Sequence, residues 1–190
     1  MPHDTPTIYP GIIIRMKQAS DSVMFPSLVQ SALIQIAALP SGQKLLTGIS
    51  GRVGSAKFGY TVCIMRAEMG YDPGCVTKWT GTNVATRGNE LDATTRGKSS
   101  VTAIKYNANM IDTPDGKRPS WVGLAHELIH AYYNLKGKGL AGGTIMNVNG
   151  MVEQEEMATV GLGPGPHRSI TENVLRQEAG LPLRTTYGGN

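Results

Sequence analysis

With 190 residues, 40% of them hydrophobic, the chain is long enough for one real core, and residues 1–190 are read as a single domain. Twenty-four glycines and eleven prolines exceed what an all-helical bundle carries, so strands, turns and loops are expected beside helices in a mixed α+β fold. The net charge of +4 comes from dispersed lysines and arginines without a basic stripe or aromatic platform, which argues against a nucleic-acid partner, and no apolar run is long enough for a membrane span or a secretory h-region.

In chain order, Met1 to Pro6 is expected to be disordered or loosely held, and the β-branched stretch "GIIIRMK" reads as an early strand. Pro26 to Leu39 places Leu28, Val29, Ala32, Leu33, Ile36 and Ala37 on one stripe, the pattern of a buried helix with proline in its first turn. "SGQKLLTGIS" starts a second, short helix at Ser41 that stops at Gly48. "KFGYTVCIMRA" is a strand, "YDPGC" a turn, and Thr77 to Ser100 a long polar loop with a hairpin in it. Cys63 and Cys75 are read as reduced small core residues rather than as a disulfide.

Ser100 to Asn109 alternates and is read as an edge strand, followed by a turn at "TPDGKRP". Ser120 is placed to cap a helix that runs through Tyr133 and ends at Gly137. A further helix is expected over roughly Val152 to Val160. Another is announced by the capping box Ser169-x-x-Glu172 and closes at Gly180, before Pro182.

The stretch "LAHELIHAYYN", Leu124 to Asn134, carries the chemistry. Residues four apart lie on one helix face, so His126 and His130 can both reach one ion at about 2.0 to 2.1 Å. Glu127 is rotated by about 100°, too offset to ligate but able to touch a water in an open coordination position, as a base beside the ion. Zn²⁺ held by two imidazoles and a carboxylate keeps that fourth position open and lowers the pKa of its water toward about 7. The alternative is a helix with two partly buried histidines satisfied by backbone carbonyls. With only four histidines in the chain, His-Glu-x-x-His arises by chance in about a few tenths of a per cent of such sequences. Leu124, Ala125, Leu128 and Ile129 also supply the apolar faces of a core helix. For the third ligand, "MVEQEEMATVGLG" offers Glu153, Glu155 and Glu156, with His167 as a fallback; geometry alone does not choose among them.

"LAHELIHAYYNLKGKG" and "EEMATVGLG" resemble the catalytic helix and second zinc-ligand segment of the clostridial neurotoxin light chains. In those the second of the paired glutamates binds the metal, which makes Glu156 the preferred ligand. "GQKLLTGISG" is similar to a segment upstream of their active helix, although the toxins' long substrate-wrapping loops have no counterpart here. The closer resemblance is to the short type III effector zinc endopeptidases of the NleD family, through "HELIHAYYN", "EEMATVGLG" and "ITENVLRQEAGLPLR", over roughly Gly42 to Tyr187. It implies delivery into the host cell cytoplasm by a non-Sec, type III route, and cleavage of stress-activated mitogen-activated protein kinases.

The toxins also place an arginine and a tyrosine at i and i+3 beside the zinc, a spacing matched by Arg184 and Tyr187 in "LRTTY". Together these readings describe a compact α+β zincin-like domain whose active-site helix packs on a small mixed sheet. His126, His130 and Glu156 hold one Zn²⁺, Glu127 handles protons, and Arg184 and Tyr187 assist the tetrahedral intermediate. The host protein would bind as an extended peptide along the Ser100–Asn109 strand. The rival is a non-catalytic module that recognises a host signalling protein without cutting it, and such a module has no need of Glu127.

Overall fold

The computed structural model describes residues 3–16, 24–53, 59–67, 83–113, 116–147, 150–163 and 167–187. The chain begins with an antiparallel pair, β1 (His3–Pro6) and β2 (Ile12–Met16), in which His3 lies opposite Met16 and Pro6 opposite Ile13. The expectation of a loose start therefore fails for His3 to Pro6. The ladder to β2 supplies the backbone hydrogen bonds, and Arg15 grips Asp4 through two 2.8 Å contacts. In β2 the period-2 alternation buries Ile12 and Ile14 completely while Ile13 stays half-buried.

Two helices follow, α1 (Met24–Ala37) and α2 (Pro40–Ser50). In α1, Val29, Ala32, Leu33 and Ile36 are buried as the stripe requires, but Leu28 is exposed. Pro40 occupies the first turn of α2, where its missing N–H costs nothing, and the helix runs two residues past Gly48. These helices form the crossover that brings β3 (Val62–Arg66) back parallel to β2. Cys63 is a buried free thiol, whereas Cys75 and the turn expected at "YDPGC" lie outside the described residues.

The stretch expected to be a long loop is partly ordered into β4 (Val84–Arg87) and a short helix, α3 (Glu90–Thr94), capped by the Asn89 side chain. β4 pairs antiparallel with β5 (Thr102–Tyr106), which itself runs parallel to β3. The sheet order is β1-β2-β3-β5-β4. The strand within Ser100–Asn109 is thus an interior strand, not an edge, and Thr102, Ile104 and Tyr106 on it are all buried. The edge on that side is β4, whose short polar sequence gave little strand signal before a partner was known.

A two-residue hairpin, β6 (Asp112–Thr113) with β7 (Gly116–Lys117), leads into α4 (Ser120–Asn134). Ser120 is the first residue of α4 and not its cap; Pro119 holds that position and no side chain caps it. Thirteen of the fifteen α4 residues are buried, so polar groups on this helix must find partners inside the protein. It packs on β4 and β5 and against α1, α2 and α6.

The last part of the chain begins with the hairpin β8 (Thr144–Asn147) and β9 (Gly150–Glu153), and β9 occupies what was expected to be the start of the next helix. That helix, α5 (Gln154–Val160), ends on Gly161 in the left-handed region at φ +93°, and α6 (Glu172–Glu178) follows. Thr171, not Ser169, caps α6 by accepting from the Val174 N–H, which leaves the Glu172 carboxylate free for another task. The result is an α+β fold with an active-site-type helix on a small mixed sheet. Among the described residues no single helix is long and apolar enough to cross a membrane.

The α1–α2 corner depends on Gly42, because a Cβ there would collide with the Ile36 carbonyl oxygen, a backbone atom with little room to move. Gly42→Ala is expected to destabilise the protein by about 1 to 3 kcal/mol, seen as a lower melting temperature in differential scanning calorimetry; an unchanged melting curve would refute this reading of the corner.

Candidate metal centre

α4 carries His126 and His130 one turn apart with their Nε2 atoms 3.2 Å from each other. α5 enters from the side and presents Glu156, whose Oε2 is 2.9 Å from His126 Nε2 and whose Oε1 is 3.2 Å from His130 Nε2. One ligand atom from each of the three lies within 4.8 Å of the others, so the set can hold a metal ion.

The other side of each imidazole is as closely determined. His126 Nδ1 lies 2.8 Å from Glu172 Oε2, and His130 Nδ1 lies 3.1 Å from Glu155 Oε1 and 3.3 Å from Thr159 Oγ1. A carboxylate that accepts a hydrogen bond from Nδ1–H keeps the proton on that nitrogen and leaves Nε2 as the one able to offer a lone pair to an ion, the tautomer a metal ligand requires. The donor set thus fits Zn²⁺: two imidazole nitrogens and one carboxylate oxygen converging, each ring oriented from behind.

Both orienting carboxylates are buried and compensated. Glu172 is fully buried and takes Arg176 Nε at 2.7 Å and Arg184 Nη1 at 3.4 Å, with Arg118 Nη1 3.6 Å away. Glu155 takes Arg168 through both Nη atoms, at 2.9 and 2.7 Å, and the Leu140 N–H at 2.7 Å. Burial opposes ionisation of Glu155, but the hydrogen bonds from His130 and Arg168 outweigh it and hold the carboxyl at about 2. Burial likewise disfavours charged imidazoles, yet the surrounding glutamates raise His126 to about 9 and His130 to about 10. The pocket is built for positive charge.

Glu127, next to His126 on α4, is buried and stands outside the ligand set but within electrostatic reach of it; desolvation raises its pKa against the pull of the two histidines. Tyr187 donates from its hydroxyl to Glu156 Oε2 at 2.6 Å, and its ring centroid is 6.2 Å from that of His126. Arg184 stacks on Tyr187 with its Cζ 4.6 Å from the ring centroid. Asn173 pins this segment from α6, accepting from the Arg184 N–H and donating to its carbonyl, both at 2.9 Å. Arg184 and Tyr187 therefore sit at the rim of the His–His–Glu cluster.

Of the other candidate ligands, Glu155 turns to Nδ1 rather than Nε2, Glu153 is exposed at the edge of a neighbouring cleft, and His167 is exposed and outside the cluster. Glu172, Arg168, Arg118 and Arg176 were not anticipated as part of the site. The one local signal was the i, i+4 pair Glu172 and Arg176, since a carboxylate inside a core-facing helix needs a partner.

Comparison with known proteins agrees with this geometry. The family model Peptidase_M91, described as "Effector protein", matches residues 15–187. The chain belongs to this peptidase family. No curated protein sequence matches it. Among solved structures it is similar to the botulinum neurotoxin type G light chain, with a TM-score of 0.53 and 15% sequence identity over 79% of this chain and 50% of that one. At that identity the likeness is one of fold, and the chain spans half the length of the toxin structure.

Glu172→Gln is expected to weaken Zn²⁺ binding by about 10- to 100-fold, because a side-chain amide no longer fixes the His126 tautomer; titration calorimetry against Glu178→Gln as a control measures it, and equal affinities would contradict the assigned role. A second expectation concerns acid. The folded pKa of Glu155 is about 2 against an ordinary 4.5, so its stabilising contribution is complete above about pH 5 and is lost as pH falls toward 2. Chemical denaturation at stepped pH should show this loss, and Glu155→Gln should flatten the slope.

Proposed function

We propose that this M91-family effector is a single-domain zinc endopeptidase that cuts a host protein from within the host cell cytoplasm, after delivery by a non-Sec, type III route. The observation that carries the reading is the convergence of His126 Nε2, His130 Nε2 and a Glu156 carboxylate oxygen, with Glu127 beside them on the same buried helix. His126, His130 and Glu156 would hold the ion. When bound, Zn²⁺ polarises the scissile carbonyl and acidifies the attacking water.

The chain's own groups then account for the proton movements. Glu127, whose buried carboxyl has a raised pKa, accepts the proton that the attacking water loses and returns it to the leaving amide nitrogen as the C–N bond breaks. The Tyr187 phenol keeps its proton, because burial and the nearby Glu156 raise its pKa. It can therefore donate a hydrogen bond to oxygen, and the Arg184 guanidinium beside it supplies positive charge where the carbonyl oxygen becomes anionic. Arg184 is tied to the same Glu172 that orients His126, so metal ligand and oxyanion donor share one anchor.

The substrate would lie along β4. Val84 to Arg87 form the sheet edge nearest α4, and Ala85, Thr86 and Arg87 line the cleft beside His130 and Glu156. An extended peptide added to this edge gains main-chain hydrogen bonds and runs past the cluster. The resemblance of the active segments to the NleD group supports a stress-activated mitogen-activated protein kinase as the protein cut.

Glu127→Ala should keep Zn²⁺ but reduce cleavage by about 100- to 10,000-fold, whereas His130→Ala should lose both. Metal analysis and digestion of a purified stress-activated kinase, with and without chelator, separate the cases. Cleavage at the wild-type rate by Glu127→Ala would exclude the mechanism; chelator-insensitive binding of an intact kinase would point to a recognition module instead.

A further inference from the structure

A cleft of about 380 Å³ opens beside the metal-type cluster, between β4, the 140–143 segment and the start of α5. Its charged walls are not equivalent. Arg87 is committed: it pairs with Glu90, donates from Nη2 to the Leu140 carbonyl at 3.1 Å, and lies 3.7 Å from Glu155. Glu155 is neutralised by Arg168, and Glu156 faces the two imidazoles. Glu153, exposed at the rim and set across the β8–β9 ladder from Thr144, pairs with no described residue. One negative charge is left over.

The second observation is independent and lies on the inner wall. Asn134, the last residue of α4 and 1% exposed, donates its side-chain amide to Thr102 Oγ1 at 3.2 Å, while its Oδ1 is buried without a hydrogen-bond partner among the described residues. A buried acceptor left unpaired costs free energy until a donor reaches it. The occupant that answers both features carries N–H donors, no acceptor and a positive charge, which describes the ends of lysine and arginine side chains. An acidic or phosphorylated side chain would face Glu153 and find Arg87 already occupied, and an apolar one would leave Asn134 Oδ1 unmet.

We propose that this cleft is the subsite that selects a basic side chain flanking the scissile bond, with Glu153 recognising its charge and Asn134 Oδ1 accepting one of its N–H groups. This rests on the endopeptidase reading and adds sequence preference to it. Glu153 stands outside the set that would hold the ion, so its replacement acts on the choice of substrate.

Two measurements test it. In the first, the zinc-loaded protein digests a proteome-derived peptide library and the cut sites are read by mass spectrometry. Lysine and arginine should be enriched by about fivefold at one fixed position near the cut, the upper range for one exposed ion pair. Glu153→Gln should abolish the enrichment and Glu153→Lys should shift it to acidic residues. Cleavage without a basic preference, or with one that both variants leave intact, would overturn the inference while leaving the endopeptidase reading standing.

The second measurement needs no cleavage. Titration with n-butylguanidinium, followed by NMR, should shift the Asn134 side-chain amide and the Gly143 backbone amide saturably in the wild type, and several-fold more weakly in Glu153→Gln. Absence of a response at Asn134, or equal binding of uncharged n-butanol, would reject the subsite even in a protein shown to be a peptidase.

Discussion

Two buried carboxylates reaching the back of two imidazoles hold this protein's centre together. Left to themselves, imidazoles with Nε2 atoms 3.2 Å apart would repel when charged and would have no reason to converge when neutral. Glu172 from α6 and Glu155 from α5 remove that freedom by taking the Nδ1 edges, and Glu156 closes the third side. The carboxylates are themselves tolerable inside the protein only because Arg176, Arg184 and Arg118 surround one and Arg168 holds the other. Removing one member of such a set strands its partners, at a cost of about 3 to 5 kcal/mol. The cluster is therefore a constraint on folding as much as a site.

That constraint explains the arrangement of elements around it. α4 is buried on almost every face, wedged between the β4–β5 side of the sheet and the α1, α2 and α6 helices. α5 and α6 are short, seven residues each, since each needs only to deliver a carboxylate and the side chains that steady it. The segment after α6 is tied back twice, by Asn173 to the Arg184 backbone and by Glu172 to its guanidinium, and this brings Tyr187 to 2.6 Å from Glu156. Among the described residues β4 is the edge strand on the open side, so a sheet edge, a charged rim and the cluster meet in one place.

The amino-acid sequence by itself determined whatever rests on neighbours along the chain. The i, i+4 spacing of His126 and His130, the offset of Glu127 and the apolar faces of α4 follow from helix geometry alone, which is why the metal-type helix was legible. The buried stripe of α1 and the β-branched run of β2 were also legible from neighbours along the chain, whereas β3 is buried at Val62, Cys63 and Ile64 in succession because it is an interior strand. The choice of Glu156 over Glu155 was not: adjacent residues on one helix are equally available until something stands on each side of them, and it needed the resemblance to known zinc peptidases. Only the tertiary structure decided that Glu156 meets the Nε2 pair while Glu155 turns to Nδ1, that Glu172 is an anchor rather than half of a capping box, that His3–Pro6 is a strand, and that β5 is interior with β4 outside it. Each of these depends on contacts between segments far apart in sequence, where side-chain pairing and strand order are set by mutual burial and not by any local propensity.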